Sequence, residues 1–210
     1  MESLPAALIR NQVPIVLANN NEAIFVTFNG LIDRAEHFAI RFGQPASTNA
    51  LIRVHSECIT GDVFGSSRCD CGAQLKEAIQ LLTDNGGYIL YMRQEGRGIG
   101  LYSKLDSYEL QNIGLDTYEA NLALSYPEDA RDYMAAAQMI QAMNIKSIRL
   151  LTNNNLKIQA LKDFGVHITE QIKTIAHYTP QNLRYMHAKI KKHGHTMPLS
   201  FPQDLKKEIK

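Results

Sequence analysis

Apolar residues in the first third of the chain fall into four short runs separated by polar turns. The runs are VPIVLA (13–18), AIFVTF (23–28), HFAIRF (37–42) and ALIRVHS (50–56). Each is rich in β-branched or aromatic residues, and the intervening NNNE and GLIDRAE carry turn chemistry, so each run predicts a strand. The N-terminal third is therefore predicted to be β-rich.

The pattern then changes to a helical spacing. In AQLKEAIQLLTDNGG (73–87), Leu75, Ile79 and Leu82 recur at intervals of four and three residues, which defines one face of an amphipathic helix. The two closing glycines predict where this helix ends. The compact apolar run YILYM (88–92) predicts the next strand.

Strand, loop and helix alternate along the rest of the chain. Helices are predicted at 101–112, 129–143 and 156–165, and strands at 147–151 and 166–169. Such alternation implies right-handed crossovers between parallel strands, with helices packed on the sheet. We therefore predict an α/β fold with a mixed sheet and parallel crossover units. A single domain is expected over 1–197, followed by a polar C-terminal tail at 198–210.

Composition narrows the classes of function. The chain has 210 residues, 45% apolar and 20% charged, so a packed core is feasible. A net charge of +1 disfavours a nucleic acid as the main partner, because proteins that wrap its backbone carry a larger basic excess. No apolar run approaches the ~18 residues that span a bilayer, and the N-terminus lacks a signal-peptide pattern. The odd, low count of three cysteines favours a reducing compartment, and we expect the cytoplasm.

The three cysteines are clustered in sequence. Cys58, Cys69 and Cys71 have the spacing C-x10-C-x-C in a polar surrounding, which favours a metal site over three unrelated buried thiols. Three thiolates leave Zn²⁺ an open position, as in catalytic sites, whereas a histidine such as His55 would complete a structural site. The cysteines alone are compatible with either use of zinc.

A site of three thiolates also carries a charge constraint. Together with Zn²⁺ the thiolates sum to a charge of −1, so a coordinated water is acidified less than one held by neutral imidazoles. A nearby acid or base would then be needed. The candidates are Glu57, Asp62, Asp70 and Glu95.

Basic residues and glycines predict anion-binding loops. RQEGRGIG (93–100) would let backbone amides approach a phosphate while guanidinium groups bind it. It lacks the signatures of a P-loop or a Rossmann fingerprint, and by itself a solvated glycine turn explains it at least as well. Thr152 follows a predicted strand and Lys157 lies one turn into the next helix, where phosphate is favoured, although N-capping by the intervening asparagines is the simpler alternative. Other basic residues in polar connections are Arg53, Arg68 and Lys104.

Five blocks between Arg53 and Gly165 resemble one enzyme family. They are RVHSECITGDVFGSSRCDCGAQL, RQEGRGIGL, LQNIGLDTYEAN, DARDY and LLTNN. Long, ordered and specific, they are similar to GTP cyclohydrolase II, the entry enzyme of riboflavin biosynthesis. The chain departs from the usual family pattern at several positions, among them Ser125, where glycine is common, and Asn155, where proline is common; the others are Ser67 and Asp106-Ser107.

The resemblance implies a reaction and a metal. GTP would be hydrolysed to formate, pyrophosphate and 2,5-diamino-6-ribosylamino-4(3H)-pyrimidinone 5′-phosphate. By the family pattern Cys58, Cys69 and Cys71 hold one catalytic Zn²⁺ per subunit, with water as the fourth ligand. This moves the open zinc question to the catalytic side.

The resemblance also assigns catalytic and binding residues. Tyr108 would assist ring opening, Asp129 would accept a proton, and Arg131 would be the nucleophile towards the α-phosphate. Because a guanidinium stays protonated and is a poor nucleophile, stabilising phosphoryl charge is an equally physical role for Arg131. The substrate-binding residues carried over are Arg53, Val54, His55, Ser56, Glu57, Gln74, Glu95, Gly96, Arg97, Thr117, Thr152 and Lys157.

Partners follow from the same resemblance. The family uses Mg²⁺ with the triphosphate and forms homodimers, so we expect both here, with GTP as the partner. The charge and the lack of a long apolar run already lead us to expect neither a nucleic acid nor a membrane as a partner. Two alternatives stand beside this prediction. One is a paralogue that acts on a related nucleotide or stops at the formylamino intermediate, and the other is a non-enzymatic nucleotide-binding protein with structural zinc.

Overall fold

The computed structural model describes residues 4–33, 35–115, 117–127 and 129–182. The strands within them are β1 (Leu8–Val16), β2 (Glu22–Asn29), β3 (Phe38–Phe42), β4 (Ala50–Ser56), β5 (Gly87–Met92), β6 (Ile148–Leu151) and β7 (Ile168–Ile172). The α-helices are α1 (Ile59–Asp62), α2 (Cys71–Asn85), α3 (Leu101–Asn112), α4 (Thr117–Ala123), α5 (Met134–Ala142) and α6 (Asn155–Asp163). Short 3-10 helices lie at Ala18–Asn20, Glu95–Gly98 and Pro180–Asn182.

The described strands form one mixed sheet in the order β1-β2-β3-β5-β4-β6-β7. Pairing is antiparallel from β1 through β2 and β3 to β5, and parallel from β5 through β4 and β6 to β7. Helices connect the parallel strands, as crossover units require. The predicted α/β fold with a mixed sheet is confirmed, and so is the β-rich N-terminal third.

The core lies on both faces of the sheet. Successive side chains of a strand point to opposite faces, so Leu51 of β4 packs with Leu82 of α2, while Ile52 packs with Met139 of α5. All four side chains are buried. Burying each such side chain stabilises the fold by about 1.5–3 kcal/mol. This packing fixes the ends of the parallel strands, where the site described below lies.

The turn from α2 into β5 depends on two glycines. Gly86 has a φ of +72°, and its N–H donates to the carbonyl oxygen of Leu82 at 2.8 Å, which ends the helix. A Cβ on Gly87 would lie 2.4 Å from the carbonyl oxygen of Leu51. Only glycine therefore lets β5 begin this close to β4, and the predicted helix end is confirmed.

One predicted helix begins later than the sequence pattern indicates. The expectation of a helix at 129–143 is wrong for its first turn, because α5 begins at Met134. The Ala130 N–H donates to the carbonyl of Arg97 at 3.0 Å, which ties this segment to another loop. The Asp132 carboxylate accepts from the Met134 N–H at 2.7 Å, a local turn contact immediately before the helix.

Other differences concern short elements and boundaries. The sequence pattern does not predict α1 or α4, because four and seven residues are too few to show a helical period. Strand β1 begins before the predicted 13–18, and β7 begins two residues after the start of the predicted 166–169. Residues 183–210, including the predicted tail, lie outside the described residues, so the domain boundary stays a prediction. Within the described part, no helix is both long and apolar enough to cross a membrane.

Candidate active site

A cavity of about 140 Å³ lies where the carboxyl ends of β4, β5 and β6 meet. This edge is where ligands bind in open α/β sheets. The three cysteines line it together with most of the residues assigned by resemblance. These are Arg53, His55, Ser56, Glu57, Gln74, Glu95, Gly96, Arg97, Tyr108, Arg131, Thr152 and Lys157.

Three assigned residues are placed differently. The Val54 side chain is buried in the core, and its carbonyl oxygen accepts from the Lys157 ammonium at 2.6 Å. Asp129 is connected to the cavity through its ion pair with Arg131. The side chain of Thr117 lies outside the described residues.

The cysteine sulfurs meet between β4 and α2. Cys58 follows β4, Cys69 lies in the next loop, and Cys71 is the first residue of α2. The three Sγ atoms lie within 4.8 Å of one another, and Cys58 and Cys69 are 3.6 Å apart. Hydrogen bonding to Cys69 and Cys71 lowers the pKa of Cys58, while hydrogen bonding to Cys58 raises the pKa of Cys69 to about 11.

This cluster fits a zinc ion. Tetrahedral coordination with Zn–S bonds of ~2.3 Å sets neighbouring sulfurs ~3.8 Å apart, close to the observed separation of Cys58 and Cys69. Coordination of the metal by His55, which would make a structural zinc site, is disfavoured. The His55 Nε2 atom is instead paired with Asp62, 3.1 Å from both of its carboxylate oxygens. In the described ranges no histidine or carboxylate joins the three sulfurs. The donor set therefore leaves a position open for a further ligand, as catalytic zinc sites do.

Two glycines allow the loops to close around the sulfurs. A Cβ on Gly61 of α1 would lie 2.8 Å from Cys69 Sγ and 3.1 Å from Cys58 Sγ. A Cβ on Gly72 of α2 would lie 2.2 Å from the Gly61 carbonyl oxygen. The close approach of α1 and α2 thus requires both glycines, although neither has a positive φ.

We expect Gly61→Ala to weaken zinc binding by about tenfold or more, because the new methyl group displaces two ligand sulfurs. Competition with a chromophoric chelator measures this affinity. Gly165→Ala is the matched control, since no described residue beyond its chain neighbours comes within 4 Å of its Cβ position and its φ of +82° costs only stability. Equal zinc affinity in wild type and Gly61→Ala would contradict the expected displacement of the sulfurs.

A buried ion pair borders the cysteines. The Lys104 ammonium of α3 lies 2.8 Å from Glu95 Oε1 and 3.1 Å from Cys58 Sγ. Burial favours the neutral amine, but the Cys58 charge and the Glu95 hydrogen bond outweigh it and raise the pKa of Lys104. The Tyr108 hydroxyl lies 3.4 Å from Thr60 Oγ1, which also contacts the Lys104 ammonium.

A second ion pair lies in the segment that was predicted to be helical. Arg131 Nε donates to Asp129 Oδ1 at 2.8 Å, and its Nη2 donates to Asp129 Oδ2, which makes a two-point contact. Burial opposes ionisation of Asp129, but pairing with Arg131 outweighs it and lowers the pKa of Asp129. The carboxylate therefore holds the guanidinium plane in a fixed orientation at the cavity.

The glycine loop supports this segment. Gly96 and Arg97 both have left-handed φ values, +62° and +63°. A Cβ on Gly98 would lie 2.9 Å from the Ala130 carbonyl oxygen, so the glycine permits the close contact between the two segments. The predicted anion-binding loop thus lies beside Arg131 and contributes Arg97 to the same cavity.

Several buried polar atoms of the cavity wall have no partner among the described residues. They are Arg53 Nε, His55 Nδ1 and Ser56 Oγ. Buried polar groups are normally hydrogen-bonded, so each of these atoms has hydrogen-bonding capacity that the described residues leave unused. Burial lowers the pKa of His55, which keeps the ring neutral, and donation from Nε2 to Asp62 leaves Nδ1 as an acceptor.

The model of the GTP cyclohydrolase II family matches residues 10–173, most of the chain and all three cysteines. This chain belongs to the GTP cyclohydrolase II family. It is 46% identical over 197 residues to GTP cyclohydrolase-2 of Psychromonas ingrahamii, covering 92% of this chain and 98% of that protein. It is 51% identical over 183 residues to GTP cyclohydrolase-2 of Aliivibrio salmonicida, covering 86% and 92%. These matches confirm the sequence resemblance.

A longer relative matches over part of its length. The chain is 45% identical over 172 residues to riboflavin biosynthesis protein RibBA of Thermotoga maritima, covering 82% of this chain and 44% of that protein. The GTP cyclohydrolase II region is therefore similar to one portion of a larger protein in that organism.

Two of the departures from the GTP cyclohydrolase II pattern are accommodated locally. Ser125 has a φ of +63°, a conformation that glycine adopts without strain and serine adopts at a cost of about 1–2 kcal/mol. Asn155 is the first residue of α6, a position that favours proline but accepts other residues. Asn154 caps this helix by accepting from the Lys157 N–H at 3.1 Å, which confirms the capping prediction.

Sequence reasoning missed part of the cavity wall. Lys104 lines the cavity and donates to Thr60 Oγ1 at 3.0 Å beside Cys58, but neither residue was assigned a role in the site. Lys104 shows only as one more basic residue in the sequence, because its burial depends on how α3 packs. Other wall residues without a prior role are Ile99, Ser107, Gln111, Asn121, Asn153, Asn154 and Thr174.

Proposed function

We propose that this chain hydrolyses GTP to formate, pyrophosphate and 2,5-diamino-6-ribosylamino-4(3H)-pyrimidinone 5′-phosphate, the first step of riboflavin biosynthesis. Membership of the GTP cyclohydrolase II family supports this reaction. The observation that carries it is that three clustered sulfurs and several cationic side chains line one cavity. Sulfurs suit a zinc ion and guanidinium groups suit phosphates, so one cavity can serve both hydrolytic steps.

The proposed metal is one catalytic zinc ion per chain, held by Cys58, Cys69 and Cys71. Their separations and the open fourth position support this assignment. Zinc bound there supplies Lewis acidity and lowers the pKa of a coordinated water. Cys58 is buried and Lys104 lies 3.1 Å from its sulfur, which limits the access of bulk water to that side of the cluster.

At the phosphate end, the proposed roles belong to Arg97, Arg131 and Lys157. Asp129 holds the Arg131 guanidinium in a fixed plane, which supports charge stabilisation at the α-phosphate. Thr152 directly follows β6 and precedes α6, so it lies at the carboxyl end of that strand, beside the N-terminus of the helix. Mg²⁺ would accompany the triphosphate, and such sites need few protein ligands.

At the nucleoside end, the unpaired atoms of Arg53, His55 and Ser56 are proposed to bind the polar edges of the substrate. Gln74 donates to Asp70 and accepts from Arg53 at 2.7 Å, so it orients the Arg53 guanidinium. A ligand that hydrogen-bonds to these atoms would satisfy buried groups that the described residues leave unpaired.

We expect Tyr108→Phe to slow formate release by about a hundredfold and pyrophosphate release much less. Burial raises the pKa of Tyr108, so the phenol stays protonated at neutral pH and can donate a hydrogen bond. Its oxygen lies on the cysteine side of the cavity, 3.4 Å from Thr60 Oγ1. Rates of both products from the same reaction mixture measure the difference.

Tyr126→Phe is the matched control for this prediction. The Tyr126 hydroxyl is within 2.9 Å of Ser103 Oγ and does not line the cavity, so both product rates should stay at wild-type values. Equal slowing of formate and pyrophosphate by Tyr108→Phe would contradict a ring-opening role for the phenol.

A product assay tests the proposed function. Incubation with GTP, Zn²⁺ and Mg²⁺ should yield formate and pyrophosphate in equal amounts. Pyrophosphate without formate would favour a paralogue that stops at the formylamino intermediate. Neither product, with bound zinc and measurable GTP binding, would favour a nucleotide-binding protein with structural zinc.

We also propose a homodimer in the cytoplasm, with GTP as the partner. All nine residues of β1 are exposed, among them Leu8, Val13 and Val16, which supports burial of this strand against a second copy. The three free cysteines support a reducing compartment. Light scattering that gives the mass of one chain would contradict the dimer.

A further inference from the structure

Lys104 makes contacts that no binding role explains. Its ammonium has three donor hydrogens, and three acceptors surround it: Cys58 Sγ at 3.1 Å, Thr60 Oγ1 at 3.0 Å and Glu95 Oε1 at 2.8 Å. The side chain is 10% exposed. A lysine with its donors directed at a ligand sulfur is arranged to act on the metal centre rather than on the substrate.

Glu95 holds this lysine in place. Its Oε1 accepts from Lys104 and from the Gly96 N–H, at 2.8 Å each, and its Oε2 accepts from the Ile59 N–H at 2.6 Å. The carboxylate therefore joins the glycine loop to the residue after Cys58. With both oxygens engaged inside the protein, the carboxylate fixes the ammonium, and the substrate-binding role that the resemblance implies for Glu95 stays a prediction.

The Lys104 ammonium also compensates the net charge of the proposed metal site. Three thiolates and one Zn²⁺ sum to −1, and a buried charge is costly unless it is paired. The Lys104 ammonium offsets that charge at hydrogen-bond distance from Cys58. A hydrogen bond to a thiolate also draws electron density from sulfur, so the metal receives less and stays a stronger Lewis acid.

We propose that Lys104, held by Glu95, is a positioning residue of the metal centre that donates to the Cys58 thiolate, compensates the charge of the three-thiolate site and keeps its metal electrophilic. This inference rests on the proposed zinc site. A simpler alternative is that Lys104 and Glu95 only brace the fold. The two roles predict different metal properties in a folded Lys104 variant: a positioning role changes zinc affinity and the electronic state of the metal, whereas a purely structural role changes neither.

The test uses the full chain with Lys104→Met, Lys104→Arg and the exposed-lysine control Lys162→Met. Zinc affinity is measured by chelator competition, and the cobalt-substituted protein reports the sulfur-to-metal charge-transfer band. Lys104→Met should weaken zinc binding by about 10–100-fold and move the band to lower energy. Lys104→Arg should recover most of both properties, and Lys162→Met should change neither.

In Lys104→Met alone, the buried Glu95 carboxylate loses its cation, and this could disturb folding. A double variant separates that effect from the effect on the metal. Glu95→Gln combined with Lys104→Met leaves no buried acid without its cation, so its folding is less disturbed. The band should still be shifted and the affinity still reduced. Wild-type affinity and band position in Lys104→Met, or their recovery in the double variant, would overturn the proposal. Failure of the wild-type chain to bind zinc would instead overturn the proposed metal site itself.

Discussion

Cys69→Ser is expected to release zinc and to lower formate production by about a thousandfold, the effect of losing about 4 kcal/mol of transition-state stabilisation. Serine keeps the size of the side chain but offers a neutral hydroxyl in place of a thiolate. With two thiolates left, the cluster loses one of the three sulfurs that lie within 4.8 Å of one another. Zinc content by elemental analysis and formate release by a coupled assay measure both effects.

Ser67→Ala provides the loop control for this experiment. Ser67 is exposed two residues before Cys69, and among the described residues its contact is through the backbone carbonyl, which accepts from the Thr179 hydroxyl at 3.0 Å. Its replacement should leave one zinc per chain and the wild-type rate. Unchanged formate release from zinc-free Cys69→Ser would show that the metal is structural or dispensable.

Arg131→Lys is expected to lower the turnover number by about 10²–10³-fold, with a smaller effect on KM. The guanidinium contacts Asp129 through two nitrogens, and lysine cannot reproduce this planar fork. The charge is kept, so loss of activity would report geometry and not charge alone. Steady-state kinetics on GTP, with pyrophosphate as the product, separate the two parameters.

Arg149→Lys is the matched control for Arg131. Arg149 lies in β6, and its Nε donates to the Asn49 carbonyl at 3.2 Å, outside the cavity. Wild-type turnover is expected for this variant. Wild-type turnover in Arg131→Lys would mean that neither a nucleophilic nor a charge-stabilising role is needed at this position.

Elements with a complete local signal were predictable from the sequence. The helix that became α2 has apolar residues at helical spacing and two closing glycines, and both its type and its end are confirmed. The start of α5 was not predictable, because a contact between Ala130 and Arg97 overrides the helical pattern. That contact joins residues far apart in sequence, and the periodicity of one segment carries no information about it.

In the candidate site, too, features with a local sequence signal were predictable and features that depend on long-range contacts were not. The spacing of the cysteines indicated a metal, since ligands close in sequence keep their signal. It left the role of His55 open, and the structure answers this through a hydrogen bond to Asp62. Glu95 could be predicted only in part. Its motif indicates a residue of the site, but the contacts of its carboxylate with Lys104 and Ile59 depend on the fold.

Zinc at the three cysteines is proposed to carry out ring opening, and a metal titration tests this role most directly. Protein stripped of metal is supplied with increasing Zn²⁺, and formate release from GTP is followed at each step. We predict no formate without zinc, a linear rise, and a plateau at one zinc per chain. Full formate release by the zinc-free protein would contradict the account.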